Sequence, residues 1–440
     1  MAHPKDPSGI TRRQLARGAA GAVAGTGIVA GLAACENTTT PVGADSGGPT
    51  GAAAKLVVPK PTGPAGLPLP RTDNSVTWAI TDDNKPVKDG RSPEQGPLRI
   101  YNYADYVDPA TLKKFQKQFG TKVEIATYNS ADEAVAKLSS GSVSFDVILG
   151  LAGSNVVDLI AHKLLAPLNH SYLPNLEKNI WPELADPFYD RGSRYTVPYV
   201  VWMDGIGWRN DKVKEDVAGM DVPWDIFWKA QAYRGKVGIL DDRRDALSMP
   251  MQRSAMQKGV RPDLNTEDAA VISKAESDLA QLGGICNPKV TITDYQTLPE
   301  GKTVLHHSWS GDLLSAAFYY MPKGVKPDVL SYWRPEQNGV VQNDFFCVGR
   351  TSSRPVLAHA FINFFLDEKN AYDNFINFTG YTPPQKGIDS ETLIKQGAIP
   401  KSLEQAIIPP DLFASNQELL QLSVEGERLW DDAWSKYKAG

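Results

Sequence analysis

Leu98-Arg-Ile-Tyr-Asn-Tyr103, Thr121-Lys-Val-Glu-Ile-Ala126 and Phe145-Asp-Val-Ile-Leu149 are three short runs with strand character, and what lies between them decides the fold class. The first alternates as a half-buried strand does. Asp108-Pro109 opens a helix with proline in its first turn, Leu112, Phe115 and Phe119 fall at i, i+3 and i+7 on one face, and Gly120 supplies the stop. Ser130 is placed to cap a second helix running to Leu138. A β-α-β-α-β run of this kind implies a doubly wound α/β sheet. At 440 residues one such sheet is too little, so two α/β lobes are expected.

In open α/β sheets ligands bind beyond the carboxyl ends of the strands, so the residues just after each strand are the candidates for a site. Tyr103 and Tyr106 come after the first strand, and Asp241, Asp242 and Asp245 after Lys236-Val-Gly-Ile-Leu240. Trp309 and Asp312 come after Thr303-Val-Leu-His-His307, and Asp344 lies in the run from Val340 to Cys347. Carboxylates beside flat aromatics suit an organic cation. A charge-assisted hydrogen bond contributes about 1.5–3 kcal/mol and an aromatic face roughly 0.5–2 kcal/mol. Together these reach micromolar binding, about −8 kcal/mol, without covalent chemistry. Each residue also has a plainer reading: Asp241 to Asp245 as a solvated turn with local ion pairs, the aromatics as core or rim. Spacing leaves both readings open.

Signatures of catalysis are thin. Gly301-Lys302-Thr303 resembles the end of a phosphate-binding loop, but Gln296 stands where its first glycine belongs. No Gly-x-Ser-x-Gly and no His-Glu-x-x-His occurs. His306 and His307 are adjacent on a predicted strand and so point to opposite faces, a poor arrangement for chelating one metal. Neither a metal nor a cofactor is called for, although paired acids would also serve a glycoside hydrolase.

The N-terminus carries a different kind of information. Thr11-Arg12-Arg13-Gln14-Leu15 precedes a run from Gly18 to Ala34 made almost entirely of Gly and Ala, a charged region and then a weakly apolar one, as in a secretory signal. The adjacent Arg12 and Arg13 fit a twin-arginine signal. Leu32-Ala33-Ala34-Cys35 resembles a bacterial lipobox, in which the cysteine thiol receives the lipid that holds the chain on a membrane. Residues 1–35 are thus expected to be an export signal ending at a lipidated Cys35. Residues 36–96 are expected to be a flexible tether and N-terminal extension. About 39 residues of Gly- and Pro-rich coil, from Glu36 to Asn74, span roughly 34 Å. Cys286 and Cys347 remain, either as one disulfide or as buried thiols.

Composition narrows the class. With 42% hydrophobic and 22% charged residues the chain can fill a sizeable core. A mean hydropathy of −0.32, with no apolar run of about 18 residues past the N-terminus, argues against an integral membrane protein. The net charge is −5, and residues 1–34 carry +3 of it, leaving −8 on the remainder. Such a body lacks the basic footprint of a nucleic-acid binder and accommodates a cationic partner.

Taken in order, Tyr101-Asn-Tyr-Ala-Asp-Tyr106, Phe145-Asp-Val-Ile148, Val197-Pro-Tyr199, Leu240-Asp-Asp-Arg-Arg-Asp245, Trp309-Ser-Gly311 and Gly380-Tyr-Thr-Pro-Pro384 resemble the spermidine/putrescine-binding component of bacterial polyamine ABC transporters. The resemblance runs from Leu98 to Gly440 and rests on the colinear set. It implies a two-lobed class II periplasmic-binding-protein fold, each lobe a doubly wound sheet, joined by hinge crossings. The implied lobes are 97–203 with 343–388, and 204–342 with 389–440. Carried over by motif, Asp242, Asp245 and Asp344 would bind amines, and Tyr103, Tyr106, Trp309 and Tyr381 would line the pocket. Two departures stand out: Gly150-Leu-Ala-Gly-Ser154 replaces a Ser-x-Tyr type segment, and Gln342 stands where a second tryptophan is usual. Gln342 is retained as a candidate pocket residue; Gln421 neighbours the place of a family glutamine. The implied function is an extracytoplasmic, lipid-anchored, non-enzymatic receptor that delivers a polyamine to permease subunits. The alternatives are a receptor of the same fold for another small solute and, less favoured, a surface sensor or a hydrolase.

Overall fold

The strand Leu98–Tyr103 (β1) forms over the alternating run, with Val123–Tyr128 (β2) and Val147–Ala152 (β3) parallel on either side. The structure is a computed structural model and describes residues 62–440; Arg12, Arg13 and Cys35 lie outside the described residues. Between β1 and β2 runs the helix Pro109–Phe119, where Asp108 accepts from the amides of Ala110 and Thr111 and Gly120 ends the helix at φ 62°. Phe115 is fully buried and Leu112 and Phe119 pack beside it, so the predicted face is the one that meets the core. Ser130 accepts from the Glu133 amide at the start of the next helix, Ala131–Ser139.

The remaining strands are Leu165–Ala166 (β4), Val197–Arg209 (β5), Val237–Ile239 (β6), Lys289–Val290 (β7), Leu305–Trp309 (β8), Leu330–Trp333 (β9) and Val341–Gly349 (β10). They are joined in the order β2-β1-β3-β10-β5-β8-β6-β7, with β4 on β10 and β9 on β5. β5 holds the arrangement together. Its first half, Val197 to Met203, pairs with β10, and its second half, Asp204 to Arg209, pairs with β8 and β9. β9 and β10 succeed one another along β5, so two antiparallel lines of chain pass from one half of the sheet to the other. Every residue of β5 is buried, as a strand covered on both faces must be. Gly205 is required there by close approach: a Cβ would lie 2.2 Å from the Trp333 carbonyl oxygen and 2.5 Å from the Tyr332 ring.

The largest apolar cluster runs through both halves, from Leu98 and Phe115 to Trp224, Leu279 and Trp430. A second, around Tyr101, Tyr128 and Ile148, also takes in Trp78. The packed body therefore begins ahead of the first strand. The Trp78 indole donates to the Tyr189 carbonyl at 2.7 Å and the Asn84 amide to the Leu165 carbonyl at 2.9 Å. Cys286 and Cys347 are separate buried thiols with no disulfide between them. No helix among the described residues is long and apolar enough to cross a membrane.

Trp78→Ala removes a large buried side chain and its hydrogen bond, and is expected to lower stability by about 3–5 kcal/mol in urea unfolding. A loss below about 1 kcal/mol would show that the segment ahead of β1 is not part of the cooperative unit.

Candidate functional site

A cleft of about 840 Å³ opens at the carboxyl ends of β1, β3 and β6, between the two halves of the sheet. It draws its lining from distant parts of the chain: Tyr103 and Tyr106 after β1, Asp242 and Asp245 after β6, Trp309 from β8, Gln342 and Asp344 from β10, and Tyr381. Of the residues named from the sequence, these eight thus reach one cavity. Gln421 lines it as well. Asp312 does not: it is buried behind the cleft, where it accepts from the Tyr381 hydroxyl at 2.8 Å.

The acids arrive by different local devices. Asp242 caps the helix Arg243–Lys258, one oxygen accepting from the amides of Arg244 and Asp245 at 2.8 and 3.2 Å. Asp245, one turn in, is buried and accepts from the Trp309 indole at 2.8 Å. Asp344 is buried and accepts from Tyr106 Oη at 2.6 Å and Trp202 Nε1 at 3.0 Å. Among the described residues none of these three carboxylates forms an ion pair.

The bases near them are committed elsewhere. Arg244 is buried and bonds to the Leu264 and Leu420 carbonyls and to Asn265. Arg243 reaches Asp431 and Glu427, both at 2.6 Å, and Asp132 at 3.3 Å, joining the helix after β6 to the helix after β2 across the cleft mouth. Lys438 pairs with Asp241 at 3.2 Å. Of the run Asp241 to Asp245, only exposed Asp241 fits the reading as a solvated turn.

Burial is the largest influence on these groups and raises them, outweighing the nearby guanidinium groups of Arg243 on Asp242 and Arg244 on Asp245. Asp344 is pushed up to about 6 by burial, against the opposing hydrogen bonds from Tyr106 and Trp202. Asp245 is raised by burial and then by the charges of Asp204 and Asp242. Asp242 is raised by burial, its backbone hydrogen bonds opposing. Asp204, fully buried on β5 and 3.2 Å from His307 Nε2, is raised in the same way.

Aromatic rings complete the lining. Tyr106 lies edge-on to Tyr381 at 5.1 Å and 6.0 Å from Tyr103, and Trp202 lies 5.6 Å from Trp309. Gly150, at φ 89°, lets Tyr106 lie against the end of β3, where a Cβ would be 3.0 Å from the tyrosine ring. Gly150 of that segment thus seats Tyr106. Gln342 lines the cleft, but its amide nitrogen is spent on the Leu419 carbonyl at 3.1 Å. The sequence reading did not find Trp202 or Asp204. Both sit on a strand buried throughout, where no alternation distinguishes Trp202, which lines the cleft, from Asp204, which lies buried outside its lining.

No group of His, Cys, Asp and Glu side chains that could hold a metal occurs among the described residues, and adjacent His306 and His307 are both fully buried. The cleft offers carboxylates outside any ion pair among the described residues, set between aromatic walls, an arrangement for holding a cation with an apolar body. Residues 110–401, more than half of the chain, match the family described as bacterial extracellular solute-binding protein.

The chain belongs to that family.

Among its relatives, the spermidine/putrescine-binding periplasmic protein 1 of Haemophilus influenzae is 26% identical over 316 residues, covering 70% of this chain and 80% of the relative. The putrescine/cadaverine-binding protein of Pseudomonas aeruginosa is 25% identical over 351 residues, covering 78% and 93%. The solved substrate-binding protein PotD of a Streptococcus pneumoniae spermidine/putrescine ABC transporter superposes with a TM-score of 0.61 at 22% identity, covering 79% of this chain and 99% of its own. The Treponema pallidum lipoprotein Tp0655 gives 0.59 at 21%, covering 78% and 99%. The fold is thus the two-lobed class II periplasmic-binding-protein fold expected from the sequence. The family is one of solute-binding proteins.

The elevated Asp344 has a consequence for stability. Its carboxyl titrates at about 6 in the folded chain against an ordinary 3.8, so the folded state binds that proton more tightly than the unfolded state. Stability from this group is therefore gained as pH falls from about 6 to about 4 and is absent above. Asp190, raised to about 6 by burial, acts in the same direction. The unliganded chain is expected to melt higher at pH 5 than at pH 7.5, with Asp344→Asn melting above its parent at pH 7.5. A variant that melts well below its parent at pH 7.5 would contradict this.

Proposed function

We propose that this chain is an extracytoplasmic receptor that captures a linear polyamine of the spermidine or putrescine class and delivers it to the permease of an ABC transporter. One observation carries the reading: Asp242, Asp245 and Asp344 converge on one aromatic cleft, and among the described residues none of them is held in an ion pair. Ammonium groups supply the missing charge, and the methylenes between them lie against Tyr103, Tyr106 and Trp309. The curated relatives, named for spermidine, putrescine and cadaverine, support the same class.

In this reading the lobes are 97–203 with 343–388, and 204–342 with 389–440. The change of partners along β5 between Met203 and Asp204 supports the first boundary. Closure about these crossings brings Asp344 on one lobe towards Asp242 and Asp245 on the other, with the Arg243–Asp132 pair at the mouth. Arg12 and Arg13 direct export by the twin-arginine route, and a diacylglyceryl group on Cys35 holds the receptor at the outer face of the cytoplasmic membrane.

Asp242→Asn is the informative variant, because asparagine caps a helix as well as aspartate does and only the charge is lost. It is expected to weaken spermidine or putrescine binding by about 2–3 kcal/mol in isothermal titration calorimetry. An unchanged affinity would remove Asp242 from the site.

A further inference from the structure

Trp202 and Gln342 are direct neighbours across the antiparallel pair of β5 and β10, and both side chains line the cleft. The glutamine amide is turned to the Leu419 carbonyl and presents no ring. The indole opposite it does two things. Its N–H is bonded to Asp344 Oδ1 at 3.0 Å, while Tyr106 occupies Oδ2, so both oxygens of that carboxylate are held by neutral donors. Its ring lies 5.6 Å from Trp309, whose own N–H holds Asp245 at 2.8 Å. A continuous line, Asp344–Trp202–Trp309–Asp245, therefore crosses the floor of the cleft from one half of the sheet to the other.

We infer that Trp202 positions Asp344 and supplies from β5 the aromatic wall that Gln342 leaves open on β10, and so determines which cationic chains the cleft holds. The inference rests on the polyamine reading of this cleft. Neutral donors orient a carboxylate without cancelling its charge, so the acid stays available to an ammonium. An indole face adds attraction for that ammonium and covers the adjoining methylenes. Because Trp202 lies where β5 passes between the two halves, closure on a ligand changes how its ring meets Trp309.

The groups facing Asp344 leave its titration readable. Tyr106 touches it, and Tyr103, Tyr128, Tyr199 and Tyr381 surround it; burial keeps these phenols protonated. The acids Asp242, Asp245 and Asp312 act on the same Tyr103 that Asp344 acts on.

The test titrates putrescine and spermidine into the full chain, Trp202→Phe, Trp202→Leu and the exchange Trp202→Gln with Gln342→Trp, by calorimetry from pH 5 to 8. Trp202→Phe keeps a ring and loses the donor, so the pH below which affinity falls should rise by about one unit. Trp202→Leu should lose roughly ten- to thirtyfold in affinity near pH 7.5 through the lost ring. The exchange should recover most of that affinity while changing the ratio of the two ligands. If Trp202→Phe keeps the parental pH midpoint and both single variants keep the parental affinity, the inference is overturned while the polyamine reading stands. If the parent binds neither ligand, the polyamine reading fails, and the inference with it. Thermal melts of each variant identify any that fails to fold, in which case the pH midpoint of Trp202→Phe decides.

Discussion

A carboxylate held away from water with no cation beside it costs several kcal/mol unless it takes up a proton or is well supplied with hydrogen bonds. This chain keeps such groups at the centre of its cleft, and much of the surrounding structure answers to them. Asp344 receives two neutral donors, Asp245 an indole N–H, and Asp242 two backbone amides at a helix start. Each donor lowers the cost of the charge without removing it. The nearby cations are drawn away, Arg244 to backbone carbonyls and Arg243 to the acids at the rim. Negative charge is thus reserved for something that arrives from outside.

The same constraint gives the crossing strands their mechanical meaning. β5 takes part in the pairing of both halves, and β9 and β10 run back along it, so two of the three crossings between the proposed lobes lie side by side in the sheet. The cleft acids are divided between them. Bringing the halves together unfilled would crowd like charges, whereas a multivalent cation between them makes closure favourable. At the mouth, Arg243 pairs with Asp132 and joins parts that the proposed lobes divide. Ion pairs this exposed contribute about 0.2–1 kcal/mol each, enough to trim the closing equilibrium but not to drive it without ligand.

How far the sequence could be read depends on where its signals are local. Asp108-Pro109, Gly120 and Ser130 act within a turn of their own positions, and the helices they bound fall where expected. The colinear motifs brought Asp242, Asp245, Trp309, Asp344 and Tyr381 to one cavity, because a motif carries information that spacing alone lacks. Trp202 and Asp204 were illegible for the opposite reason. β5 is buried from end to end, so polarity does not alternate along it, and only the register with β10 shows Trp202 opposite Gln342. Trp78 escaped notice because its partner, the Tyr189 carbonyl, lies 111 residues away. Arg243 and Arg244 read as one charge run, yet one bridges the cleft mouth and the other is buried beneath it.

Asp242, Asp245 and Asp344, hydrogen-bonded but held in no ion pair among the described residues, are proposed to bind an organic cation with two or more charges. Calorimetric titration of the unaltered chain with spermidine and putrescine near pH 7.5 at moderate salt tests it most directly. Saturable one-to-one binding at micromolar strength or tighter, weakening as pH falls through about 6 where Asp344 protonates, is the predicted result. Absence of binding by either amine, with the chain shown to be folded, would contradict it.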